Sequence, residues 1–202
     1  MLMSLMVVPA QAEGTGAPAD AAGAPVQASQ QEAPAVAAGT GTVTGDFAEI
    51  VTECPEGVTV EVKNNGGDQN QLLQNEAKTK WFLKATRDTT SFAYPALAIT
   101  VTIDKNVARG DYALVFDYAV ETSTSAQNNF GVANSDWTFD KTLYGASEKV
   151  NIETSLFQTA AINLKENGDK ISIEYRDYEN KGVDSGYLTN VRIVRLEKTN
   201  FT

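Results

Sequence analysis

From residue 44 onward the apolar residues recur at every second position, in one short run after another. In "LAITVTI", Leu97, Ile99, Val101 and Ile103 fall on one side and Ala98, Thr100 and Thr102 on the other. Successive side chains of an extended chain point to opposite faces, so this pattern reads as a half-buried strand. "YALVFDYAV" repeats it with Tyr112, Leu114, Phe116, Tyr118 and Val120, "ISIEY" with Ile171, Ile173 and Tyr175, and "VTVEV" with Val58, Val60 and Val62. No stretch of the same region carries a sustained helical stripe, although "LLQNEAK" has the composition for one helical turn.

Each run is bounded by residues that favour turns. "NNGGD" follows Val62 at a distance of one residue, "ARGD" precedes Tyr112, "ENGDK" introduces Ile171, and "DSG" introduces "YLTNVRIVRL". In that last run Val191 and Ile193 share a phase, whereas Val194 and Leu196 occupy the other. Either both faces are covered or a bulge intervenes. About eight strands at this spacing predict an all-β fold, an antiparallel β-sandwich or jelly roll.

The chain before residue 44 is of another kind. "MLMSLMVVPAQAEG" is a short apolar run ending in Ala10, Gln11 and Ala12, a small-x-small pattern that suits a secretory cleavage site, although no Lys or Arg precedes it. Residues 1–12 are therefore read as a signal peptide, and the expected location is extracytoplasmic, secreted or at the cell surface. Residues 13–43 are rich in alanine, glycine and proline, with Glu13, Asp20 and Glu32 as the only charges and no aromatic residue. Such a segment buries too little apolar surface to offset its ordering entropy, and its Ala-Pro repeats favour an extended, flexible tether. Residues 44–202 are left as the folding unit. Of the 26 acids in the chain the tether holds three, so this unit has 23 acidic and 16 basic residues, a formal charge of −7. Nucleic acid and anionic membranes are poor partners for it, and no other run approaches the ~20 apolar residues of a spanning helix. Cys54 is the only cysteine, which excludes a disulfide within the chain and is read as a small buried residue.

The chain contains no histidine. That removes Ser-His and Cys-His nucleophile systems, the commonest general base and the commonest zinc ligand. Glu61, Asp117 and Glu174 alternate outward along strands, as on a solvated sheet face, so a glycosidase-type carboxylate pair is not indicated. No Gly-rich phosphate loop and no EF-hand spacing is present. The expectation is a protein that binds rather than catalyses.

Two adjoining stretches carry a resemblance. "QLLQNEAKTKW" resembles, without a gap, the N-terminal signature of discoidin-like (coagulation factor 5/8 type C) modules and related sugar-binding modules. "FAYPALAITVTIDKNV" resembles that family's next segment, so the likeness covers residues 71 to 107. "GDYALVFDYA" and "YLTNVRIVRLE" are similar to galactose-binding-like jelly rolls more widely. The resemblance implies that Trp81 starts a strand and packs inside the sandwich. It also implies a structural calcium ion in the polar loop, with Gln74, Thr79 and Glu197 at the matching positions and Glu76 as a substitute carboxylate. Gln74 stands where the family has Asp, which weakens a site for a hard cation, and a loop closed by hydrogen bonds alone is the equal alternative.

For a sugar site the local physics asks for an aromatic face beside amides, carboxylates or Arg. "KATRDTTSFAY" offers Arg87 and Asp88, and Thr122 to Trp137 offers Asn128, Asn129, Phe130 and Trp137. Trp137 is open to two readings, a stacking face or the start of a buried strand. The leading expectation is a secreted, noncatalytic module that binds a glycan or cell-surface polysaccharide. Its rival is a structural or adhesive β-sandwich that contacts other proteins and has no sugar site.

Overall fold

The alternating runs become the strands of two facing sheets. The structure is a computed structural model and describes residues 39–66, 69–86, 93–122, 128–144, 149–177 and 183–197. The signal-like segment 1–12 and the tether as far as residue 38 lie outside those residues, as do Arg87 and Asp88. The strands are β1 (Thr42–Gly45), β2 (Val51–Glu53), β3 (Val58–Asn64), β4 (Asn70–Gln74), β5 (Trp81–Thr86), β6 (Ala93–Ile103), β7 (Asp111–Thr122), β8 (Asn128–Asn134), β9 (Asp140–Tyr144), β10 (Gln158–Asn163), β11 (Gly168–Asp177) and β12 (Val183–Leu196). A 3-10 turn at Ala48–Ile50 precedes β2. One sheet runs β1-β3-β6-β11-β8-β9, and the other β10-β7-β12-β5-β4 with β2 beside β12. The pairings of β1 with β3 and of β2 with β12 are parallel. The expected all-β sandwich is the observed architecture.

The inner faces are those that the alternation marks. Val58, Val60, Val62, Leu97, Ile99, Val101, Ile171, Ile173 and Phe130 of the first sheet are buried in one cluster with Leu83, Leu114, Phe116, Leu188, Val191 and Ile193 of the second. Burial of a side chain of this size stabilises the fold by about 1.5–3 kcal/mol before its entropy cost. Trp81 heads β5 and is half-buried against this cluster, and its carbonyl accepts a hydrogen bond from Thr189 Oγ1 at 2.6 Å. Cys54 is 3% exposed with its Sγ 3.3 Å from the Val58 carbonyl, and burial pushes its thiol pKa up.

The phase change in the last run is a bulge. Asn190 takes a left-handed φ of 52°, and the register with β7 shifts between Thr189 and Arg192. Leu188 faces the core before it and Val191 and Ile193 after it, so one extra residue returns the apolar side chains to the interior. The Asn190 amide donates to Asp117 Oδ2 at 2.8 Å and accepts from Thr52 Oγ1 at 2.6 Å, which holds the bulge.

Two expectations about local structure need correction. The stretch 72–78 forms no helical turn: its first three residues belong to the strand Asn70–Gln74, which pairs with β5. The long loop expected from Thr122 to Trp137 is also shorter, because Asn128–Asn134 is a strand between β11 and β9. Its alternation, Phe130 and Val132 inward against Gly131 and Ala133, is masked in sequence by amides and small residues. In addition, β1 begins at Thr42, inside the stretch read as tether, and Gly41 donates its N–H to the Cys54 carbonyl at 2.9 Å.

One outer face is already covered. Phe82 points away from the central cluster yet is 2% exposed, its ring 5.4 Å from that of Phe157, with the Lys80 ammonium 5.2 Å and 5.8 Å from the two centroids. Val150 N donates to Glu121 Oε2 at 3.0 Å, so the segment between β9 and β10 lies over the second sheet. The outer face of the first sheet holds the cleft described below.

Phe130 of β8 lies directly on Gly186 of β12, where a Cβ at 186 would stand 1.3 Å from Phe130 Cε2. Gly186→Ala is expected to destabilise the domain by at least ~1–3 kcal/mol, the usual cost of overpacking. Phe130→Leu in the same chain should recover part of that loss, and urea denaturation of the two single variants and the double variant measures the coupling.

Candidate functional site

The connection from β8 to β9 is a tight turn built on Asn134. Asn134 N donates to the Phe139 carbonyl at 3.1 Å, and Trp137 N donates to the Asn134 carbonyl at 3.0 Å. The Asn134 side chain, 5% exposed in total, accepts from Phe139 N at 2.9 Å and donates to Thr138 Oγ1 at 2.7 Å. Asp136 Oδ1 accepts from the Thr138 hydroxyl at 2.8 Å. These bonds hold Trp137 at a φ of 59°, a backbone region that a bulky side chain rarely occupies. The indole is 62% exposed.

Beneath this turn lies Asp169, 6% exposed, at the start of β11. Its carboxylate accepts from Ser135 Oγ at 2.8 Å, from Asn134 Nδ2 at 3.2 Å and from Lys170 N at 2.8 Å. Lys165 reaches over from the β10–β11 turn to pair with Asp136 Oδ2 at 2.7 Å, and it lies 3.7 Å from Asp169 Oδ1. Its ammonium also donates to Ser135 Oγ at 3.1 Å. The hydrogen bond from Lys165, followed by that from Thr138, holds the Asp136 carboxyl down at about 2. The same partner raises the pKa of Lys165.

Trp137 stands beside a cleft of about 370 Å³ lined by Ala133, Asn134, Ser135, Lys170, Ser172 and Glu174. Its floor follows from strand register: Ala133 sits opposite Ser172, Ser172 opposite Ala98, and Ala98 opposite Lys63. The small side chains of Ala133 on β8 and Ser172 on β11 stand side by side and leave a shallow floor between longer neighbours. Lys170, Ser172 and Glu174 follow one another on the outward phase of β11. The cleft therefore offers an indole wall, a hydroxyl floor, an ammonium and a carboxylate. That is the mixture of apolar face and convergent polar groups that binds a neutral polyhydroxyl molecule.

The residues expected from sequence are dispersed. Trp137 is in the cleft. Phe130 is not available as a stacking face, because it is 1% exposed and packs on Gly186 in the core. Its place in the alternation of β8 turns it inward. Asn128 and Asn129 belong to β8, opposite Asp177 and Arg176, and their side chains lie outside what the structure describes, as do Arg87 and Asp88 altogether. Lys170, Ser172 and Glu174 line the cleft although nothing in the sequence marks them for it. Their outward phase is readable, but nothing local shows that β11 lies beside β8.

The four positions that the resemblance implies for calcium are not gathered in one shell. Gln74, Glu76 and Thr79 belong to the β4–β5 connection, whereas Glu197 lines a separate cleft of about 530 Å³ with Gly110, Asp111, Arg195 and Leu196. Phe82, next to the connection, pairs with Thr189, and Glu197 follows eight residues later, on the order of 25 Å of extended chain. Within the connection the Asn75 side chain accepts from Thr79 N at 2.8 Å and Lys80 N at 2.9 Å and donates to Thr79 Oγ1 at 3.0 Å. Gln74 Nε2 donates to the Lys78 carbonyl at 3.1 Å, and Glu76 N donates to Glu153 Oε1 at 2.9 Å. Among the described residues no group of three or more His, Cys, Asp or Glu could hold a metal ion. The four positions are thus not brought together in the way the resemblance implies.

No model of a known family matches the chain, and no curated protein matches it. Solved structures with similarity to it include SGBP-B from a complex xyloglucan utilization locus in Bacteroides uniformis, at 13% identity and a TM-score of 0.41. That likeness covers 63% of this chain and 45% of the other. Another is TmCBM61 in complex with beta-1,4-galactotriose, at 11% identity, a TM-score of 0.42, and 68% and 88% coverage. A third is an exo-beta-agarase, at 12% identity and a TM-score of 0.43, in which the likeness covers 74% of this chain and 24% of the enzyme.

Two outcomes are expected from these contacts. Asn75→Ala should lower stability by about 1–2 kcal/mol, and calcium or a chelator should leave the melting temperature of the parent unchanged, as read by calorimetry. A rise in melting temperature with calcium would place an ion in the fold. The second concerns pH. A carboxyl whose folded pKa is about 2 contributes stability that is present above the ordinary value of 3.8 and is lost as the pH falls through its folded value. The Trp137 turn is therefore expected to loosen between about pH 4 and pH 2, seen as a change in tryptophan emission ahead of global unfolding.

Proposed function

We propose that this domain is a noncatalytic carbohydrate-binding module whose ligand is a neutral glycan seated in the Trp137 cleft. The observation that carries the reading is a tryptophan held in a costly backbone conformation, largely exposed, beside a channel floored by Ala133 and Ser172. Strain kept in a largely exposed surface residue points to a role in binding. The indole supplies an apolar face for a sugar ring, Glu174 accepts from hydroxyls, Lys170 donates to them, and Ser172 does both. One ammonium and one carboxylate leave the cleft without a dominant charge, which favours neutral sugars over uronates.

The discoidin-like signature over residues 71–107, with Trp81 at the head of β5, supports placement among galactose-binding-like modules. Export and display on the Ala/Pro-rich tether complete the reading, supported by the composition of residues 1–43. The alternative is a β-sandwich that contacts other proteins, and Leu156, at 95% exposure, is the residue that favours it.

The test is a glycan array probed with the full chain, followed by titration calorimetry on neutral β-linked oligosaccharides such as galactotriose, cellohexaose and xylohexaose. Trp137→Ala should weaken the tightest of these by at least about 30-fold, the effect of losing a central aromatic anchor. Its melting temperature should stay within ~2 °C of the parent, as for other exposed substitutions. Unchanged affinity in this variant would refute the site. Failure of the parent to retain any glycan, with Leu156→Ser abolishing a protein contact, would favour the alternative.

A further inference from the structure

The Trp137 turn is fastened from below and from the side by residues that take no part in lining the cleft. Asp169 receives Ser135 Oγ at 2.8 Å and Asn134 Nδ2 at 3.2 Å, and so joins both ends of the first half of the turn to β11. Lys165 belongs to the next turn of the sandwich and bridges Asp136 at 2.7 Å and Ser135 Oγ at 3.1 Å, the residues immediately before Trp137. The buried carboxylate and the ammonium thus hold residues 134 to 136 through four contacts at Asn134 Nδ2, Ser135 Oγ and Asp136 Oδ2, leaving the next residue its left-handed φ. A strained residue persists only where its surroundings hold it, and a change of φ at residue 137 would redirect the indole. Ordering a side chain on binding costs roughly 0.5–1.5 kcal/mol, so a turn already held in place binds more tightly with no added contact.

We propose that Asp169 and Lys165 are positioning residues of the cleft: they set its affinity by clamping the β8–β9 turn in the conformation that presents Trp137, without touching the ligand. This rests on the carbohydrate reading for its affinity arm, while its mechanical arm is independent of any ligand. Lys165 is the informative member. Its pair with Asp136 is exposed on both sides, at 40% and 45%, and such pairs contribute little to global stability. Its loss is therefore expected to free the turn without unfolding the domain.

The test uses the full chain carrying Trp81→Phe, which leaves Trp137 as the only tryptophan of the two. Time-resolved fluorescence anisotropy of ligand-free protein reports the motion of the indole, calorimetry reports stability, and titration with galactotriose, cellohexaose and xylohexaose reports affinity. In Lys165→Met the anisotropy should decay faster, affinity for the tightest of the three should fall about five- to tenfold, and the melting temperature should stay at the parental value. Lys165→Arg should restore both the slow decay and the affinity. Asp169→Asn should show the same loss more strongly, with a lower melting temperature.

Parental anisotropy in Lys165→Met and in Ser135→Ala would overturn the clamp. Faster decay with unchanged affinity would overturn its role in binding. A clamp that behaves as described in a protein that retains none of the oligosaccharides would uphold the mechanical inference and count against the carbohydrate reading alone.

Discussion

Apolar burial between two sheets is the interaction that the rest of this structure depends on. With a single cysteine the chain has no internal disulfide to fall back on, and its interior is a continuous cluster of Val, Ile, Leu and Phe drawn from both sheets. The two faces must close over each other without gaps, because interiors of this kind are packed like crystals. The contact of Phe130 with the bare backbone of Gly186 shows how close that fit is. It also explains why a phenylalanine in an amide-rich stretch is structural.

That core determines where function can reside. The inner faces are used up, and much of the outer face of the second sheet lies under the segment that carries Phe157. On the outer face of the first sheet, register brings Ser172 and Ala133 side by side, and small residues flanked by longer ones leave a cleft. The β8–β9 turn then sets a tryptophan beside it. The cleft thus arises from two strands and a turn whose separate sequences contain little that is unusual.

Polar groups serve two different ends in this fold. Asn190 and Asp117 hold a bulge that restores the phase of β12 to the core, and Asn75 closes the β4–β5 connection on itself. Asn134 and Asp169 hold an exposed residue in a conformation it would not adopt alone. Buried polar groups are costly unless fully bonded, so a network of this density around one turn of a sheet edge is notable where the only large side chain it presents faces solvent.

Period-two alternation in "LAITVTI", "YALVFDYAV", "ISIEY" and "VTVEV" was enough by itself to establish the strands, the inward residues and the sandwich, since burial on one face of a strand is a local property of the pattern. The absence of histidine was enough to exclude the Ser-His and Cys-His nucleophile systems. Even the ambiguity of "YLTNVRIVRL" was legible as a choice between two covered faces and a bulge. Only the tertiary structure decided which strands are neighbours, and from that everything about the site. Lys170, Ser172 and Glu174 read as an ordinary solvated face until β8 and the Trp137 turn are placed beside them. Phe130 and Trp137, seven residues apart in one stretch, part company because the first lies on the inward phase of a strand and the second beyond its end. Glu197 and the loop of Gln74, Glu76 and Thr79 are separated for the same kind of reason: strand register, which is fixed by pairings between distant segments, sets how far apart they stand.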